Sequence, residues 1–393
     1  MKKNVFCSLL SVVLMLVYTI MPTSQVCAQV IVQNPEYQEI MQDQQTTNAT
    51  KYLEGEMNAI REVISSCEKE FGIGAETVAL LKLGKPFVIY DADKDVQEDC
   101  YYYPLVNSVN HKIMAVVSLA NTTEGWTYTI NKEWIDKLTE CRYLEQTYLF
   151  YRSGKTLVAE SENQKVVLQG KEEKDGFVSK GYTSKKTIIA KKMNKRKKVK
   201  VNYSKRQTSS VLYGYSPTTS TSSGGYYYCN LHKPQGQGTK SICWAAAAAT
   251  TINYCKGTSY TAMNVVNKLN VDDTRQDGGT IQRALTTYGL DYLFNSSKVP
   301  TWKLIKNSIK KKKPVILCGK GYFGGHAVTV VGYRTAGAKS YVMLWDSALS
   351  KNGTQGAGNT SIAAYKNGNI VFESLGYTYA TFGSCHGRSI SYK

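Results

Sequence analysis

Four residues of this 393-residue sequence have the types and the order that nucleophilic acyl chemistry needs: Gln237, Cys243, His326 and Asp346. Cys243 stands in "QGQGTKSICWAAAAATTINY" (235–254), at the head of an alanine run that favours helix because alanine loses no side-chain entropy on ordering. A sulfur at a helix N-terminus feels unpaired backbone N–H groups and the positive end of the helix dipole, and both favour thiolate. A neighbouring imidazole would lower the thiol pKa further and give an ion pair ready to attack a carbonyl. Of the four histidines, His111 falls in the front half, whereas His326 opens the apolar run "GGHAVTVVGY" (324–333) behind two glycines that leave room at its backbone. The connection "GYRTAGAK" ahead of "YVMLWDS" is short enough for an antiparallel hairpin. Its centre, near Ala336, would set Asp346 beside His326, where a carboxylate fixes the imidazole tautomer and stabilises imidazolium. The tetrahedral intermediate then needs donors for its oxyanion. The N–H of Cys243 is one, and the amide of Gln237 is preferred over that of Gln235 as the other.

Each residue has a blander reading: an inert buried thiol, a satisfied core histidine, a strand-end aspartate, a surface glutamine. Their occurrence together, in one order, outweighs these. Cys229 with His232, and Cys385 with His386, offer a zinc set, but adjacent Cys385 and His386 do not easily reach one tetrahedral ion. No metal and no cofactor is expected. Cys318, inside "PVILCG", is expected in the core.

The elements that must position these residues follow from periodicity. In the back half, helices are expected over the alanine run, "GTIQRALTTYGL" and "TWKLIKNSIKKKK", then buried strands over "PVILCG", "GHAVTVVGY" and "YVMLWDS". In the front half, Leu53, Met57, Ile60, Val63 and Ile64 lie at helical spacing. After them "PFVIYDAD", "YYYPLVN", "HKIMAVVSLA", "GWTYTI", "TLVAE" and "KVVLQG" read as strands, with a helix over "KEWIDKLTECRYLEQTYLFY" (132–151).

Four segments result. Residues 1–28 have a basic start, an apolar run and a small-residue site at Val26-Cys27-Ala28, the pattern of a signal peptide. Residues 29–190 carry 18 basic and 24 acidic side chains, a net charge of −6. Residues 191–225 join a run of nine basic side chains (191–206) to "SPTTSTSSGG", the composition of an exposed connector and of a site for protease attack. Residues 226–393 form the catalytic domain, and from Gln207 onward the net charge is +14. With no later run long enough to span a membrane, the expected product is a secreted, extracellular protein without a transmembrane segment after signal removal. Basic charge of this size suits an anionic cell envelope or the acidic front half, whereas nucleic acid is disfavoured because no recognition signature accompanies it. The remaining cysteines lie too far apart in sequence to define a disulfide framework.

"QGTKSICWAA" with downstream "GGHAVTVVGY" and "WDS" resembles the papain-like cysteine peptidase superfamily, over about Leu231 to Gly383. The "CWAA" start is similar to the staphopains and to domains related to bacteriocin-leader peptidases. Papain and the staphopains carry Asn in the orienting place; Asp346 is as in the leader peptidases. The resemblance implies an α+β fold, a helical lobe carrying Cys243 and an antiparallel sheet lobe carrying His326, preceded by a small α+β prodomain. It implies a secreted endopeptidase made as a zymogen, acting on protein or peptide substrates through an acyl-enzyme. Gln237 matches the oxyanion glutamine, Cys243 the nucleophile, His326 the general base and Asp346 the orienting residue, and the front half would be the chain's own intramolecular inhibitor. A papain-fold acyltransferase and an inert envelope-binding module are the alternatives.

Overall fold

The computed structural model describes residues 44–170 and 214–390, apart from positions 92, 94–95, 124, 146–147, 155, 162–163, 223–224, 322–323 and 353. The expected signal peptide and most of the expected connector lie outside the described residues.

The front half opens with α1 (Gln44–Ser66), followed by α2 (Glu68–Phe71) and α3 (Ala75–Ala79). Leu53, Met57, Ile60, Val63 and Ile64 form the buried stripe of α1. Strands β1 (Leu81–Leu83), β2 (Phe87–Asp91), β3 (Val96–Asn107), β4 (Ile113–Thr122) and β5 (Gly125–Asn131) follow, then α4 (Ile135–Glu140), β6 (Leu149–Ser153), β7 (Thr156–Glu160) and β8 (Lys165–Gln169). The helix expected over 132–151 is therefore corrected to the six residues of α4. Arg142 takes a positive φ of 49°, which breaks the helix, and Phe150 joins a strand whose alternation points it into the core beside Tyr143 and Tyr148.

The back half contributes β9 (Thr219–Thr221), β10 (Tyr227–Cys229), α5 (Cys243–Lys256), α6 (Ala262–Leu269), α7 (Gly278–Thr287), β11 (Tyr292–Asn295) and α8 (Trp302–Lys310). Six strands then close on themselves: β12 (Val315–Gly321), β13 (Gly324–Ala336), β14 (Lys339–Asp346), β15 (Asn359–Lys366), β16 (Asn369–Ser374) and β17 (Tyr377–Gly387), the last pairing back with β12. Every pairing in this barrel is antiparallel. Mixed helices and a closed antiparallel barrel give an α+β fold.

Strand β14 shows how the barrel is filled. Successive side chains alternate between faces, so Val342 and Leu344 join the core with Val328, Val330 and Phe372, while Tyr341, Met343 and Trp345 join a second core. That second core is shared with the front half, through Leu53, Ile60, Tyr103, Val117 and Ile130 among others. A strand buried on both faces reads as a continuous apolar run, as "YVMLW" does. Strand β5 pairs with β15, placing Ile130 opposite Ile362 and Thr129 opposite Ala363. No helix among the described residues is long and apolar enough to cross a membrane.

Candidate active site

Cys243 is the first residue of α5, and every side chain of that helix from Cys243 to Tyr254 is buried. Ala245 to Ala249 supply the small surface that lets the helix lie against Ile316, Cys318 and Ala327 of the barrel. The indole Nε1 of Trp244 donates to the carbonyl of Thr274 at 2.8 Å, fixing the helix start against the loop before α7. The other end of α5 closes on Gly257, whose φ of +64° is the left-handed conformation that glycine adopts freely.

His326 comes from the start of β13. Its Nε2 lies 2.8 Å from Oδ1 of Asp346, which also accepts from the backbone N–H of Ala348 at 2.9 Å. The other ring nitrogen is left free of Asp346, and the charges of His326 and the Cys243 sulfur act on each other. The ring sits 5.2 Å from that of Tyr379 and 6.1 Å from that of Phe372, so its walls are apolar. Cys243 and His326 are 8 % and 7 % exposed and Asp346 is fully buried, so the three form a nearly dry cluster. Oδ2 of Asp346 is buried without a hydrogen-bond partner among the described residues.

The hairpin register differs from the sequence expectation. The turn falls at Gly337 and Ala338, since Ala336 faces Lys339, and that ladder alone would set Asp346 opposite Thr329, on the other face from His326. A bulge between Val330 and Gly332 takes up one residue, so that Thr329 faces Trp345. Continued by one residue, the ladder sets Asp346 opposite Val328 and diagonal to His326. Same-face diagonal neighbours remain within reach of longer side chains, which is how the 2.8 Å contact forms. The two glycines also differ in role: at Gly324 the Arg275 guanidinium occupies the place of a Cβ, whereas at Gly325 only the Gly319 carbonyl oxygen comes near, 3.5 Å from that place.

Charge in this cluster is polarised. Burial pushes the Cys243 thiol up, but the adjacent His326, by charge and hydrogen bond, and the N–H of Ala327 outweigh it and hold the thiol below its ordinary value. Burial likewise pulls His326 down, but the Asp346 carboxylate and the Cys243 sulfur outweigh that and raise it well above the ordinary imidazole range. Each group thus favours the charged form of the other. The thiols of Cys67, Cys141, Cys229, Cys255, Cys318 and Cys385 are instead pushed up, chiefly by burial.

Gln237 is half-buried and held by Ser347, the residue after Asp346. Its backbone N–H donates to the carbonyl of Ser347 at 3.0 Å, its Oε1 accepts from Ser347 Oγ at 3.0 Å, and its Nε2 donates to the carbonyl of Lys240 at 3.1 Å. One amide hydrogen of Nε2 is thus left over. Gly236 permits this seating, since a Cβ there would lie 2.1 Å from the carbonyl oxygen of Gly356. Gln235 turns away, its amide donating to the carbonyl of Lys233 at 2.8 Å.

One participant is absent from the sequence reading. Glu133, in the front half, accepts from the N–H of Ser350 at 3.0 Å and from its hydroxyl at 2.8 Å, four residues beyond Asp346. Nothing in sequence spacing marks a partner 217 residues away. Among the described residues no cluster of three or more His, Cys, Asp or Glu side chains forms a metal site, and all eight cysteines there are free thiols.

Residues 225–379 match the Peptidase_C39 like family. The match covers less than half of the chain, and every residue of the cluster except Glu133 falls within it. The match supports, for that segment and at the family level, a papain-like cysteine peptidase type of hydrolase. No curated protein matches the chain.

Proposed function

We propose that the chain is a secreted cysteine endopeptidase, built on a two-lobed papain-like frame and made as a longer precursor. The observation that carries this reading is the buried cluster of Cys243 and His326, in which each group favours the charged form of the other, backed by Asp346 at 2.8 Å. The Cys243 thiolate attacks the scissile carbonyl carbon while His326 holds the proton, and the carbonyl π pair moves to oxygen. The N–H of Cys243 and the remaining amide hydrogen of Gln237 receive that oxyanion. The pair returns, the C–N bond breaks, and His326 gives its proton to the leaving amine, which leaves an acyl-enzyme. Water, deprotonated by His326, then attacks the thioester and restores the thiolate. Asp346 in the orienting position supports kinship with the leader-peptidase branch over the staphopain branch. Processing in the connector at 191–225 is supported by its basic composition, and docking of the front half on the back half by their opposite charges and by two ion pairs, Glu56 with Lys339 at 2.5 Å and Glu62 with Arg334.

The test is covalent labelling by an epoxide or vinyl-sulfone inhibitor, followed by peptide mapping. Label on Cys243, lost in Cys243→Ala and nearly lost in His326→Ala, supports the reading. Either variant keeping more than about a tenth of wild-type turnover would place the site elsewhere, since loss of a nucleophile or base costs orders of magnitude.

A further inference from the structure

The seating of the front half is unlike that of a detachable cap. Strand β15 changes partner along its length: Tyr365 and Lys366 pair with β16, whereas Ile362 and Ala363 pair with β5. Strand β5 in turn reaches β16 through side chains, Thr129 Oγ1 donating to the Val371 carbonyl at 3.4 Å and Asn131 Nδ2 to Glu373 Oε2 at 2.8 Å. Strand β5 thus lies in the seam where β15 and β16 part. Beside it, Val331, Tyr341, Met343, Trp345 and Ile362 have no solvent face, because α1 and β3–β5 cover them. An isolated back half would expose this contiguous apolar surface to water.

The second observation is the turn after β14. Asp346 holds His326, Ser347 holds Gln237 through Oγ and carbonyl, and the Ala348 and Leu349 carbonyls accept from Gly356 and Gly358 at 3.2 and 3.0 Å. Ser350 is held by both oxygens of Glu133. One short segment therefore carries the orienting carboxylate and the anchor of the oxyanion amide, and its far end is clamped by the front half.

We infer that the front half is a permanent part of the catalytic unit: β5 is a stave of the barrel wall, Glu133 is a positioning residue for the Asp346–Ser350 turn, and cleavage of the connector leaves both pieces together. The first and last parts stand whatever the chemistry, and the role of Glu133 rests on the peptidase reading.

Salt separates this from docking by charge. Exposed ion pairs such as Glu56–Lys339 weaken as salt screens them, whereas a strand ladder over an apolar core does not. The full chain carrying Cys243→Ala, which cannot digest itself, is nicked by a Lys/Arg-specific protease within the basic run and passed over a sizing column in about 1 M NaCl, where the screening length is ~3 Å. Co-elution of both pieces, lost only in denaturant, is expected. A front piece that elutes apart from a folded back piece overturns the inference and restores the dissociable inhibitor. For Glu133, iodoacetamide alkylation of Cys243 is followed against pH. Misplacing the Asp346 turn in Glu133→Ala should slow alkylation roughly ten-fold or more and narrow the pH range of the reactive thiolate, with Glu133→Gln in between because its amide oxygen still accepts from Ser350. Variants that lose stability but keep the parent pH profile make Glu133 merely structural and overturn its positioning role. If Cys243 in the parent reacts no faster than an ordinary thiol, the peptidase reading fails, while co-elution still decides on the wall.

Discussion

Asp346 offers the sharpest perturbation, because two replacements separate its charge from its shape. Its Oδ1 accepts from His326 Nε2 at 2.8 Å and from Ala348 N–H at 2.9 Å, in full burial. Hydrogen bonds to charged groups contribute about 1.5–3 kcal/mol, against about 0.5–1.5 kcal/mol for neutral ones. Asp346→Ala removes the whole interaction with imidazolium, so the His326 pKa should fall by about 1–2 units at 1.36 kcal/mol per unit. Asp346→Asn keeps an acceptor oxygen for the imidazole, loses the charge, and should fall by about half as much. Because Asp346 holds His326 charged, each fall moves the alkaline limb of the thiolate–imidazolium pair to lower pH. The assay is the iodoacetamide rate at Cys243 across pH, read by mass spectrometry, with kcat/KM on a peptide substrate alongside. Equal losses in both variants would show that charge alone matters. An unchanged pH profile in both would refute the coupling of Asp346 to the site. The amide nitrogen of Asn at the partnerless Oδ2 position should also lower stability, by about 1–3 kcal/mol for a buried unmet donor.

Gln237→Ala should lower kcat by about 100- to 1,000-fold, the usual cost of one oxyanion donor, while slowing alkylation of Cys243 far less; equal effects on both rates would contradict an oxyanion role. The interface between halves should depend on pH through Glu373 and Glu133. Burial pushes Glu373 up to about 8 and raises Glu133 too, and on separation both return to the ordinary carboxylate range near about 4.3. The docked state therefore binds more protons, so association is strongest below that range and weakens as pH rises to about 8. The urea midpoint for separating nicked pieces should fall from about pH 5 to about pH 8; a midpoint that rises would contradict the burial of these carboxylates.

Much of this arrangement is legible before folding, and what is not has physical reasons. The α1 stripe and the run "YVMLWDS" follow from periodicity, and Cys243 at a helix start follows from alanine propensity. The hairpin of β15 and β16 carries a sequence signal as well: Asn367-Gly368, both at positive φ (48° and 81°), is the Asn-Gly signature of a tight turn. The helix expected over 132–151 failed because composition does not show where Arg142 turns left-handed. The turn at Gly337 and Ala338 displaces the register of β13 against β14, and the bulge between Val330 and Gly332, which periodicity does not show, brings His326 and Asp346 back onto one face as diagonal neighbours. The clamp from Glu133 to Ser350 is beyond local reading, because only the docking of two distant segments creates it.

The central claim is that Cys243 and its imidazole partner hydrolyse peptide bonds. The most direct measurement is digestion of a peptide library by the purified protein in heavy-oxygen water, with mass spectrometry of the products beside a Cys243→Ala control. The account predicts new C-termini that carry the heavy oxygen and vanish in the control. Acyl groups appearing on added amines without heavy oxygen would make the chain a transferase, and cleavage undiminished in Cys243→Ala, or no cleavage by either, would contradict the account.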